Sequence, residues 1–277
     1  MGKLSRGFTL VEMIVAITIT GIIAGVVAIF IARPIEGYIA SANRAELTDM
    51  ADLTLKRMAL EIRTAVPNSI YPTSGDTTQI EFVPARTGGR YCTDRDTSCK
   101  PLDFGSAADT FSVLGPETEP TPNCIITVAQ TESAIIYNTG QAELDIYTGG
   151  SRRSITGATI GGTALTLGTS PQCADTLTIG GSALTYASPS NRFQIIPSTG
   201  PIKYRCSGGT LRRYSNYGWT HTESGSGDVL ASTDTLTCTF TYNTTSATNG
   251  LLTIEIVLTR NNETVTLMQQ IHVDNTP

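Results

Sequence analysis

The sequence predicts an α+β fold, a long N-terminal helix laid on an antiparallel β-sheet domain. Three observations lead there. Phe8 to about Ala32 is an apolar run with one charge, Glu12. Beyond Pro34 the apolar residues recur at helical steps. From residue 67 onward the chain is rich in Thr, Ser and Gly, and its apolar residues alternate as in strands,.

The apolar run is about 25 residues long, against the roughly 20 that a helix needs to cross a bilayer. A short basic leader, with Lys3 and Arg6, stops at Gly7 just before it. A secretory signal would have a shorter core and a small-residue cleavage site, which Phe30-Ile-Ala-Arg33-Pro34 does not offer. A myristoylation motif would want Ser or Thr where Arg6 stands,. A carboxylate in lipid is costly and reads as a functional group in need of a partner, which singles out Glu12. Gly21 and Gly25 are four apart on one helix face, the small-xxx-small spacing that lets helices approach closely,. Pro34 is expected to kink or interrupt the helix.

The next stretch is amphipathic. Leu47, Met50, Ala51, Leu55, Met58, Ile62 and Val66 form one stripe, with Asp52–Lys56 and Arg57–Glu61 as i,i+4 pairs on the other faces,. Val66-Pro67 ends it. Residues 8 to about 66 thus read as one helix, divided into 8–33, a membrane or assembly segment, and 34–66, which continues into a globular head at 67–277.

Within the head, Leu236, Cys238, Phe240 and Tyr242 alternate with threonines. Leu252–Leu258 and Thr264–Leu267 follow, joined through a turn at Arg260-Asn261-Asn262-Glu263. Ile202–Cys206 and Leu211–Tyr214 read as a hairpin about Gly208-Gly209. A short repeat, Thr159–Thr166 and again Thr178–Thr185, reads twice as strand, Gly-Gly turn, strand, and predicts a surface hairpin insertion over 150–190. Six cysteines in a domain placed beyond a membrane argue for disulfides,. The expected pairs are Cys92 with Cys99, Cys206 with Cys238 and, by subtraction, Cys124 with Cys173.

Catalytic patterns are wanting: there is no phosphate loop, nucleophile elbow or carboxylate pair. Cys92–Cys99 resembles a calcium loop only faintly, lacking the glycine and downstream glutamate,. No C-x-x-C occurs and two histidines stand alone, so no metal or other cofactor is expected,. A net charge of −5 argues against nucleic acid as partner,.

The string Arg6-Gly-Phe-Thr-Leu-Val-Glu12 resembles the processing motif of type IV pilins and type II secretion pseudopilins. The resemblance implies that a prepilin peptidase cuts between Gly7 and Phe8 and methylates the new amine of Phe8. It also implies that Glu12 pairs with such an amine on a neighbouring subunit, and that the chain passes from inner membrane, head in the periplasm, to a pilus at the cell surface. Two opposite charges in a low-dielectric bundle offset part of each other's desolvation cost. Arg33–Tyr38, Ala45–Asp52, Arg57–Arg63 and the ending Gln270–Pro277 resemble the MshO family, minor subunits of mannose-sensitive haemagglutinin (MSHA) pili. J-type pseudopilins of type II secretion are the next nearest. The expected function is a minor pilin-like subunit that primes assembly or sits at the fibre tip, with other pilins as partners through the N-terminal helix. An anchored extracellular binding module or adhesin is the alternative from another class.

Overall fold

The computed structural model describes residues 8–72, 75–93, 99–114, 126–129, 131–168, 172–246 and 248–277. One helix, α1, runs from Leu10 to Ile62. Thr9 caps it, its hydroxyl oxygen accepting from the Glu12 backbone N–H at 3.3 Å,. Pro34 lies inside α1, so the expected interruption does not occur. A proline removes one ladder bond, here to the Phe30 carbonyl, and the adjoining turns carry the helix across.

The far end comes earlier than the stripe suggested. α1 stops at Ile62 rather than near residue 66, because the backbone there finds strand partners. Ala65 bridges Pro84, and the Val66 N–H donates to the Val83 carbonyl at 2.8 Å. Val66 is still buried, and Leu47, Ala51, Leu55, Met58 and Ile62 are each no more than 3% exposed. The stripe is therefore the packed face of α1.

Strands β1 (Tyr71–Pro72) and β2 (Gln79–Phe82) follow. The chain then runs through β3 (Thr87–Tyr91), β4 (Ala108–Leu114), β5 (Ile126–Val128) and β6 (Ser133–Ile135). Next come β7 (Arg152–Ile160), β8 (Thr163–Ala164), β9 (Gln172–Ala174), β10 (Thr176–Gly180) and β11 (Arg192–Ile196). It closes with β12 (Ile202–Ser207), β13 (Thr210–Ser215), β14 (Asp228–Ser232), β15 (Thr235–Ser246), β16 (Asn249–Arg260) and β17 (Glu263–Asp274).

Two antiparallel sheets enclose the packed half of α1. One has the order β1-β2-β12-β13-β14 and the other β15-β16-β17. Their inward residues share a core with the helix stripe, including Phe82, Tyr204, Leu211, Leu252, Ile254, Ile256 and Leu258. Asn261 and Asn262, at φ 50° and 63°, turn β16 into β17. That is the left-handed pair a two-residue hairpin turn requires, and asparagine tolerates it. Ion pairs fasten this tip to α1, Arg260 to Glu46 at 2.6 Å and Arg44 to Glu263. At the other end of β17, the Asn275 side-chain oxygen accepts from the Asn68 N–H at 3.2 Å. So β17 lies along the packed half of α1.

The segment between β2 and β12 builds a second core. Its strands close a ring, β10-β4-β3-β11-β6-β7 and back to β10. Tyr91, Phe111, Val113, Ile155, Leu177, Ile179 and Phe193 belong to its buried cluster. This corrects the expectation of a surface hairpin over 150–190. The first repeat copy does form a hairpin, β7 to β8, about Gly161 and Gly162 at φ 54° and 78°. After β10 the second copy has no returning strand before β11. Each copy instead begins on the last residues of a ring strand, β7 or β10, and these two strands pair antiparallel with Leu177 opposite Ala158. Ile155 and Ala158 on β7 and Leu177 and Ile179 on β10 fill the inside of the ring, as in any small closed barrel. Val66, Val83, Ile135, Ile146, Tyr147 and Ile196 pack together where the two bodies meet.

Cys92 is bonded to Cys99, with Cα atoms 6.2 Å apart, and Cys206 to Cys238 at 5.9 Å. The second bond joins β12 to β15, hence one sheet to the other. Cys173 is also disulfide-bonded; Cys124 and residues 94–98 lie outside the described residues.

Candidate functional site: the N-terminal helix

The first half of α1 is bare. Every side chain from Phe8 to Ile31 is exposed, Phe8 itself by 77%. The most apolar window of the helix has a mean hydropathy of 2.8 and none of it is buried. Helical geometry alone puts α1 residues 10–46 about 55 Å along the axis, at roughly 1.5 Å per residue. Two hydroxyls in its apolar part are satisfied within the helix. The Thr18 hydroxyl donates to the Val15 carbonyl at 2.9 Å and that of Thr20 to Ala16 at 2.6 Å. In an apolar surrounding this avoids the several kcal/mol that a free hydroxyl would cost.

Glu12 differs. It lies in the first turn, where the helix dipole favours a negative charge,, yet its carboxylate has no cation partner among the described residues. Gly21 and Gly25 leave open space: a Cβ at either would touch nothing within 4 Å. Nothing among the described residues therefore requires glycine at those positions. Gly7 lies outside the described residues.

A family model for the prokaryotic N-terminal methylation motif matches residues 2–28. The chain carries a prepilin-type N-terminus. The motif supports a type IV pilin-like or pseudopilin protein, a substrate of processing and a structural subunit rather than an enzyme. With the apolar helix it also supports membrane anchoring. No curated protein and no solved structure matches the chain.

The packed half of α1 ends on a polar clamp. Glu61 was expected on an outer face, paired with Arg57, and that pair is present at 3.8 Å. Its other oxygen is held by the head, accepting from the Tyr204 hydroxyl at 2.7 Å and from Arg213 Nε at 2.8 Å. Burial and the neighbouring Glu61 carboxylate push the Tyr204 phenol well up, so it donates throughout the accessible pH range.

Sequence reading missed a buried ionic group in the head. Lys203 on β12 is 3% exposed. Its Nζ lies 2.9 Å from Glu223 and 3.4 Å from Glu81, and it donates to the His221 carbonyl. Burial raises the Glu223 carboxyl, but hydrogen bonds from Lys203, Arg205 and its own backbone outweigh that and bring it to about 2. Ile202 and Tyr204 face the helix core, while Lys203 points to the opposite face under the segment carrying Tyr217, His221 and Glu223. Both faces of β12 are covered there, so the alternation of neighbours could not reveal it. In the sequence Lys203 alternates with Ile202 and Tyr204 just as Arg205 does, which reads as an ordinary solvent-facing position.

Proposed function

We propose that this chain is a minor pilin-like subunit of a type IV pilus of the MSHA type, one that primes assembly or occupies the fibre tip. The observation that carries the reading is the bare half of α1, apolar on every side and capped by a lone acidic residue. Lipid satisfies such a surface before assembly and a bundle of like helices afterwards. Gly21 and Gly25, which have no packing reason among the described residues, suit the close approach of a neighbouring helix. Glu12 suits an N-terminal amine at Phe8 of an adjacent subunit, because each charge then offsets part of the other's desolvation. The large two-core head fits a subunit present in few copies better than one repeated along a shaft.

The test is Glu12→Val, followed by co-purification with partner pilins. Removing the charge leaves membrane insertion intact. An amine buried without its partner costs on the order of 3–5 kcal/mol, enough to prevent incorporation. Native wild-type protein is expected to begin at Phe8 with one added methyl group by mass spectrometry. A Glu12→Val chain that co-purifies like wild type would reject the assembly reading, and wild-type partners from a secretion apparatus would point to a pseudopilus instead.

A further inference from the structure

The head holds a pocket of about 450 Å³ lined by Tyr137, Thr139, Gln141, Glu143, Leu144 and Tyr186, a volume within the range of small-ligand sites. It lies beside the exit of α1, at the other end of that helix from its bare half. The Asn68 side-chain amide donates to the Asn138 carbonyl at 3.0 Å, and that of Asn138 to the Pro67 carbonyl at 2.7 Å.

The wall of this pocket is preformed. Buried Asn138 accepts from the Ile146 N–H at 2.9 Å through its side chain. The Leu144 N–H donates to the Gln141 carbonyl at 2.7 Å, and the Thr148 hydroxyl to the Ala142 carbonyl at 3.1 Å. A Cβ at Gly150 would run into the Glu143 carbonyl, so the loop folds back on itself there with no slack. Tyr137 is held at φ 56°, a conformation that is costly for a bulky residue and persists only when the surroundings impose it. Rigid walls reduce the entropy lost on binding.

The functional groups on this wall are uncommitted. Tyr186 is 48% exposed. The side chains of Gln141 and Glu143 are exposed and make no hydrogen bond with another described residue. An aromatic face is electron-rich and accepts polarised C–H groups. A carboxylate accepts two hydroxyl donors at once, and a primary amide both donates and accepts. Together these match a pyranose ring, apolar on one face and hydroxylated at its rim. Among the described residues no Lys, Arg or His lines the pocket, and Glu143 would repel an anionic ligand. A wholly apolar ligand would strip water from Gln141 and Glu143 and give nothing back.

We propose that this pocket binds a neutral saccharide, with one ring stacked on Tyr186 and its hydroxyls held by Glu143 and Gln141. The probes are glucose, galactose, mannose, N-acetylglucosamine and the anionic N-acetylneuraminic acid. Each is titrated into the detergent-solubilised full chain and followed by saturation-transfer NMR and calorimetry. At least one neutral sugar is expected to bind with a dissociation constant on the order of millimolar. Tyr186→Ala is expected to weaken it about tenfold or more through loss of the aromatic face, with Tyr186→Phe near wild type. Glu143→Gln is expected to weaken it by a factor of about five to ten, since a charged acceptor becomes a neutral one. Melting temperatures of the variants, expected to match wild type, separate lost binding from lost folding. The proposal is overturned if no neutral sugar binds at tens of millimolar, on the order of ten times that constant. Preference for N-acetylneuraminic acid, or full binding by folded Tyr186→Ala, overturns it equally.

Discussion

The two halves of α1 belong to one unbroken element and behave as opposites. From Phe8 to Ile31 every side chain is exposed, whereas the stripe from Leu47 to Ile62 is sealed by two sheets. Apolar content does not explain the contrast, because the bare half is the more apolar. Distribution does. A helix that is apolar all round needs an all-round environment, which no single sheet supplies, while a stripe needs only one partner face. Ionic groups divide in the same way: Lys203 in the head is ringed by its own chain's carboxylates, and Glu12 has no such partner among the described residues.

The largest test of this contrast sets those two charges against each other. Lys203→Met leaves Glu81 buried without its lysine and Glu223 with Arg205 alone, and is expected to cost the head about 3–5 kcal/mol. Glu12→Val is expected to change head stability by less than about 0.5 kcal/mol, as for a surface site. Urea unfolding of the detergent-solubilised chain measures both, and comparable losses would break the contrast.

Apolar truncations sharpen it next. Met58→Ala, at a position with no exposure, is expected to destabilise the head by about 2–5 kcal/mol through cavity formation. Ile23→Ala, on the bare half, is expected to have almost no effect on the same unfolding curve and to act only on assembly. A shifted midpoint for Ile23→Ala would mean that the bare half also packs on the head.

The smallest effect is pH dependence. Glu223 titrates near 2 when folded and ordinarily near 4.5. A depressed carboxyl adds stability above its unfolded value and loses it as pH falls through the folded value. The melting temperature should therefore decline between about pH 5 and pH 2, less steeply in Glu223→Gln. Equal slopes would remove Glu223 from the ionic group.

The contrast within α1 was legible because helical periodicity is a local signal, and so was the β15–β17 meander with its alternating Leu, Cys, Phe and Ile. The ring was not. Its strands are short, β3 carries two glycines, and its pairings join distant residues, such as Gly89 with Phe193. The repeat suggested two hairpins because each copy matches a turn pattern. Only the demand to bury Leu177 and Ile179 shows that the second copy begins on a barrel strand. The saccharide pocket was equally hidden, since Tyr137 and Tyr186 meet only once β7 to β11 have closed the ring.

No linker separates the bare half of α1 from the packed half, and β17 lies alongside the packed half. A pull on the exposed half therefore enters the head along the strands. It loads the helix–sheet contacts in shear, where many side chains yield together, rather than peeling them one by one. The Cys206–Cys238 bond ties the flanking sheets across the core, so they cannot part to release the helix under tension. In mechanical terms the head is a socket with a covalent stitch.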